Sequence, residues 1–112
     1  SNVYKFDLTF FLQPFCKWFK NNLSLEEKEL FNILDNSDDF AHQKLKEISN
    51  KNYYQIFEET INFNTKKNNV KYIDLNQKLE KFNNSEDWLF VDRVHMTDLG
   101  YLKISKEIIN IL

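Results

Sequence analysis

The chain has 112 residues, 42% hydrophobic and 16% aromatic, which suits one domain or part of one and is too rich in aromatics for a disordered segment. A formal charge of −2 offers no basic face for nucleic acid. No apolar run approaches the roughly 20 residues of a membrane span, no signal-peptide pattern opens the chain, and the single Cys16 excludes an internal disulfide.

In chain order, Val3 to Leu12 is rich in β-branched and aromatic residues and reads as a strand. Its nearly continuous apolar end, Phe10 to Leu12, suits a strand covered on both faces, as in a parallel sheet. Pro14 ends the ladder because it has no amide to donate, and Phe15 to Phe19 reads as a short apolar helical turn. Ser24-Leu25-Glu26-Glu27 is a capping box that opens a helix running to about Leu34, with Leu30, Phe31 and Leu34 on one face. Asp35 to Asp38 is a turn. A longer helix is predicted from Asp39 to Phe63, with Leu45, Ile48, Tyr53, Ile56, Phe57 and Ile61 recurring at helical spacing. The polar patch Ser49 to Asn52 is where that helix would kink or divide.

Asn64 to Asn69 reads as a polar turn, Val70 to Leu75 as a short strand and Asn76 to Phe82 as a brief helix. Asn83 to Glu86 is loop, and Thr97 caps a last helix carrying Leu102, Ile104, Ile108, Ile109 and Leu112. Strands separated by crossover helices imply an α/β fold with parallel strands and helices packed on them. Two strands do not make an independently stable sheet. Either a third strand hides among the expected helices, or the sheet is completed from outside these residues.

Chemistry concentrates in Asp92-Arg93-Val94-His95. A carboxylate three positions before an imidazole can fold back in a turn to the ring nitrogen nearest the backbone, fixing the tautomer and stabilising the charged ring. The other ring nitrogen then faces a hydroxyl nucleophile. That is the base-and-orienter half of a Ser-His-Asp triad. Asp92, His95 and Asp98 are also of metal-ligand type, but without a Cys or a second His the spacing does not point to zinc.

The block Asp92-Arg93-Val94-His95-Met96-Thr97-Asp98-Leu99-Gly100-Tyr101 resembles the C-terminal signature of the SGNH hydrolases, or GDSL-like lipases and esterases. Phe11-Leu12-Gln13-Pro14 and Tyr72-Ile73-Asp74-Leu75 resemble strand ends in the same family. The resemblance implies a flavodoxin-like three-layer α/β/α fold, of which residues 1–112 would be a single partial domain, the C-terminal half. It further implies that His95 is the general base for a serine and that Asp92 orients it. The family's serine lies in a Gly-Asp-Ser block, and its oxyanion hole uses a Gly and an Asn from two further blocks. Here the only glycine is Gly100. The chain would therefore supply the Asp-His pair of a serine esterase or acyl hydrolase and be inactive alone. Its substrate would be a carbohydrate O-acetyl or lipid ester, with no cofactor and no metal implied.

The partners expected are the missing N-terminal half or a second copy of the chain. An alternative of another class is a non-catalytic α/β module that pairs with such a partner through its open sheet edge and apolar face. The default compartment is cytoplasmic, on the lack of a leader or a span. Arg93 is expected at the surface on the rim of the site, and Trp88 and Phe90 as packing beneath the loop. Cys16, after a proline and among aromatics, is expected to be a buried inert thiol. Ser24 is expected as a cap and His42 as a surface histidine. Gln13 sits where parallel sheets place ligands, with backbone capping as its plainer role.

Overall fold

The computed structural model describes residues 7–112. Strand β1 (Thr9–Leu12) pairs in parallel with β2 (Lys71–Asp74), with Thr9 opposite Lys71 and Leu12 opposite Asp74. Between them run helices α1 (Cys16–Phe19), α2 (Leu25–Asp35), α3 (Phe40–Ile48) and α4 (Lys51–Lys67). After β2 come α5 (Leu75–Lys78), a 3-10 turn (Glu80–Phe82) and the long helix α6 (Asp98–Ile111). The α/β class and the parallel pairing are as expected from the crossover helices. Among the described residues the sheet has two strands, and the segments expected to be helical are helical, so no third strand hides there.

The expected strand from Val3 is seen only over Thr9–Leu12; Val3 to Phe6 lie outside the described residues. The long helix does divide, at Ser49-Asn50. Ser49 Oγ donates to the Lys46 carbonyl at 2.7 Å, closing α3, while Asn50 Oδ1 accepts from the amides of Asn52 and Tyr53 at 2.9 and 3.1 Å, opening α4. This break resets the helical phase. Leu45, Ile48 and Ile61 face inward as a single periodicity predicts, but Tyr53, Ile56 and Phe57 are exposed, and Tyr54 packs inward instead. Helix α4 also runs to Lys67, through most of the expected polar turn. Asn69 then turns the chain with φ 56, a left-handed conformation that asparagine tolerates.

Two apolar clusters hold the fold. One packs Leu12, Phe15 and Trp18 against Leu45, Ile48, Tyr54 and Tyr72, covering the sheet with α3 and α4. Trp18 stacks between Phe15 and Tyr54, with centroids 4.5 and 5.1 Å away, and its indole donates to the Ile48 carbonyl at 3.1 Å. The second cluster joins Cys16, Phe19 and Phe31 to Leu79, Leu89, Phe90 and Met96. Burying each such side chain contributes about 1.5–3 kcal/mol, and this cluster lies directly beneath the Asp92–His95 turn.

Where Pro14 ends the β1 ladder, the buried Asn76 takes over the backbone. Its amide donates to the Gln13 carbonyl at 3.0 Å and its Oδ1 accepts from the Phe15 amide at 2.8 Å. Asp74 in turn accepts from the Asn76 backbone amide at 2.9 Å, so the C-terminal ends of both strands are tied together. Helix α6 is covered on one side only. Ile104, Ile108 and Ile111 are half-buried, whereas Leu102, Ile109 and Leu112 are exposed, Ile109 at 70%. The outer edge of β1 is unpaired among the described residues.

Candidate active site

The segment from Leu89 to Thr97 folds back on itself. Phe90 and Met96 form an antiparallel bridge, Val91 N donates to the His95 carbonyl at 2.9 Å, and Thr97 N donates to the Leu89 carbonyl at 2.9 Å. Phe90 at 0% exposure and Met96 at 6% point into the core, so the loop's base is pinned by apolar burial. Thr97 Oγ1 accepts from the Gly100 amide at 3.2 Å, capping α6 as expected, and donates to the Trp88 carbonyl at 2.8 Å.

At the tip, Asp92 does three things with one carboxylate. Its Oδ1 accepts from the backbone amides of Val94 and His95 at 2.8 and 2.7 Å, forming the turn. Its Oδ2 lies 2.8 Å from His95 Nδ1, the nitrogen nearer the backbone. Partial burial pushes the Asp92 carboxyl up, but the amides of His95 and Val94 and the His95 ring outweigh it. The carboxyl is held below the usual carboxylate range. Asp92 is therefore an ionised acceptor that favours a proton on Nδ1 and leaves Nε2 available.

The His95 side chain is 68% exposed and lines a concavity of about 270 Å³ with Gln13, Pro14, Leu75, Met96 and Tyr101. Gln13 and Leu75 directly follow β1 and β2, so this hollow opens outside the carboxyl ends of the parallel strands, where α/β sheets place their ligands. Gln13 is thus brought to His95 as well as having its carbonyl capped by Asn76.

Other candidates take structural places. Cys16 has no solvent exposure, and burial, reinforced by Glu27, pushes its thiol up to about 12. Ser24 caps α2, accepting from Glu27 N at 3.1 Å while Glu27 reaches back to Ser24 N at 2.8 Å. His42 is half-buried and lies 3.8 Å from Asp39, away from the turn. Among the described residues, no three or more His, Cys, Asp or Glu side chains gather as metal ligands would.

Two expectations need correction. Trp88 is exposed rather than packed beneath the loop; its indole donates to the Phe90 carbonyl at 2.8 Å, so only Phe90 fills the core. Arg93 is not a rim residue but 9% exposed, turned inward from the middle of the turn. Its Nη2 donates to both Asp35 oxygens at 2.9 and 2.8 Å, and its guanidinium lies 4.8 Å from the Phe31 ring centroid. A long-range partner 58 residues away was available to it, which the local pattern does not reveal.

Sequence reasoning missed Lys20 and the second role of Glu27. Both side chains are fully buried and ion-paired, and Glu27 Oε2 accepts from the amides of Leu89 and Phe90 at 3.1 and 3.0 Å. The capping box was readable; its carboxylate's second oxygen, holding the stem of the candidate loop, was not. No family model matches the chain, and no curated protein matches it closely enough to count as a relative.

Proposed function

We propose that Asp92 and His95 are the orienting carboxylate and general base of a serine ester hydrolase of the SGNH type, and that this chain forms the C-terminal part of its three-layer domain. The observation that carries the reading is the 2.8 Å contact between Asp92 Oδ2 and His95 Nδ1, with the ring open to a hollow beyond the strand ends. In the proposed reaction, His95 Nε2 takes the proton of a serine hydroxyl as its oxygen adds to an ester carbonyl, and returns it to the leaving alcohol. Water then hydrolyses the acyl-enzyme by the same proton path. Asp92 keeps the tautomer and stabilises the imidazolium.

The serine comes from outside the described residues. Within them, Ser24 caps α2, Ser37, Ser49 and Ser105 donate to backbone carbonyls, and Ser85 accepts from the Asp87 amide. None is hydrogen-bonded to His95. The unpaired outer edge of β1 supports a completing strand beside the hollow. The substrates that fit this reading are carbohydrate O-acetyl and lipid esters.

The test is hydrolysis of a chromogenic short-chain ester by the protein as encoded, compared with His95→Ala and Asp92→Asn. Losses of about 10³-fold or more are expected for His95→Ala. Equal activity in the wild type and His95→Ala sinks the assignment. A second reading, a non-catalytic module that pairs with a partner chain or a second copy, draws on the exposed Leu102 and Ile109 of α6 and on Leu112 just after it. It predicts concentration-dependent self-association or partner capture with no esterase activity in any form.

A further inference from the structure

The Asp92–His95 turn makes its own hydrogen bonds, but each biases a conformational equilibrium by only about fivefold net, which does not by itself hold a partly exposed turn in one conformation. The His95 ring is mostly exposed, so packing around the ring does not hold it either. The side chain that leaves this turn in the opposite direction is Arg93. Its guanidinium donates to both oxygens of Asp35, comes within 3.5 Å of Ser49 Oγ, and covers the face of Phe31. Its carbonyl accepts from Cys16 N at 2.9 Å, at the start of α1. One residue in the centre of the turn thus touches α1, α2 and the cap between α3 and α4.

Asp35 is the last residue of α2, where the helix dipole disfavours a carboxylate. Arg93 and, at 3.8 Å, Lys46 offset that. At the other end of the same helix, Glu27 holds the amides of Leu89 and Phe90. Helix α2 therefore grips the candidate loop twice: its stem through Glu27 and its tip through Asp35.

We propose that Arg93 is a positioning residue: through Asp35 and Phe31 it fixes the turn so that Asp92 meets His95 Nδ1. This rests on reading Asp92 and His95 as a working pair. A lysine cannot replace it, because an ammonium has neither the planar stacking face nor the spread of donors that reaches Asp35 and Ser49 together.

The test uses nitrogen–proton correlation spectra of the His95 ring in the chain itself, at a pH where the ring is neutral, to read the Nδ1–H to Nε2–H tautomer ratio. The variants are Arg93→Gln, Arg93→Lys and Asp35→Asn, each checked for folding by the dispersed signals of Phe90 and Met96. The expected result is a shift toward Nε2–H by about fivefold in each folded variant, the change that weakening one hydrogen bond of ordinary net strength produces. An unchanged ratio in any folded variant overturns the positioning role. Asp92→Asn is the control for the pair itself: if it leaves the ratio unmoved, the pairing of Asp92 with His95 fails, and that outcome is separate from failure of Arg93. Should Arg93→Gln not fold, Arg93→Lys and Asp35→Asn decide the matter, since the first keeps the charge and the second lies on α2, outside the turn.

Discussion

Glu27 and Lys20 form an ion pair in which neither side chain has any exposure to solvent. Such a pair persists because each partner also makes further hydrogen bonds to the backbone. Glu27 accepts from Ser24, Leu89 and Phe90 amides, and Lys20 donates to the Asp87 carbonyl at 2.8 Å. The pair joins the end of α1, the start of α2 and the strand-like stem that leads to Asp92. It is the point where the capping of one helix becomes the support of the candidate site.

Removing the carboxylate leaves a buried ammonium and three amides without their acceptor. Glu27→Ala is expected to cost about 3–5 kcal/mol. Lys20→Met leaves the carboxylate with its three amide donors and is expected to cost less. Urea unfolding of both variants measures the order. A larger loss for Lys20→Met than for Glu27→Ala contradicts the view that the carboxylate is the hub.

Asp92 links the site to pH. Its carboxyl titrates lower in the folded chain than in the unfolded one, because the His95 and Val94 amides and the His95 ring outweigh its partial burial. Its contribution to stability is therefore full above the unfolded value of about 3.9 and is lost as pH falls through the lower folded value. Unfolding free energies of wild type and Asp92→Asn should differ at about pH 5 and converge as pH falls below the unfolded value and through the lower folded one. A difference that persists undiminished in acid means the carboxylate's charge is not what the turn uses.

Much of this arrangement is local and so was legible in the sequence. The capping box at Ser24 and Glu27, the Thr97 cap, the division at Ser49-Asn50 and the meeting of Asp92 with His95 each involve residues within four positions of one another. What was not legible is what those residues do at distance. Arg93 finds Asp35 across 58 residues and Glu27 finds Phe90 across 63. The burial of Lys20 runs against the usual exposure of lysine. The inward face of α4 departs from the single helical periodicity because a helix break shifts phase by an amount that residue type does not encode. A sharper signal was Asp35: a carboxylate closing a helix works against the dipole and calls for a distant cation.

Cys16 is a candidate nucleophile by chemistry alone, and its surroundings argue against that use. With no exposure and a thiol pushed up to about 12 by burial, it carries almost no thiolate near neutral pH. Its reaction with an aromatic disulfide reagent at about pH 8 should be far slower in the folded chain than in urea. The rate should rise with denaturant in step with unfolding. Rapid labelling of the folded chain would place Cys16 in an open pocket and reopen its candidacy.

Gly100 tests how closely α6 must approach the loop. A Cβ added there would lie 2.5 Å from the Leu89 carbonyl oxygen and 2.8 Å from Met96 Cβ. Both belong to the arms of the Asp92–His95 loop, which is bridged at Phe90 and Met96 and cannot yield without disturbing Thr97. Alanine favours a helix interior over glycine by about 1 kcal/mol, but relieving this overlap costs about 1–3 kcal/mol. Gly100→Ala is therefore expected to lower stability despite its better helix propensity, and to shift the amide resonances of Leu89, Val91 and His95. Lys106→Ala compared with Lys106→Gly, at a solvent-exposed position of the same helix, isolates propensity from contact. If Gly100→Ala stabilises the chain as a simple propensity change does, α6 does not press on the loop, and its first turn is free to move independently of His95.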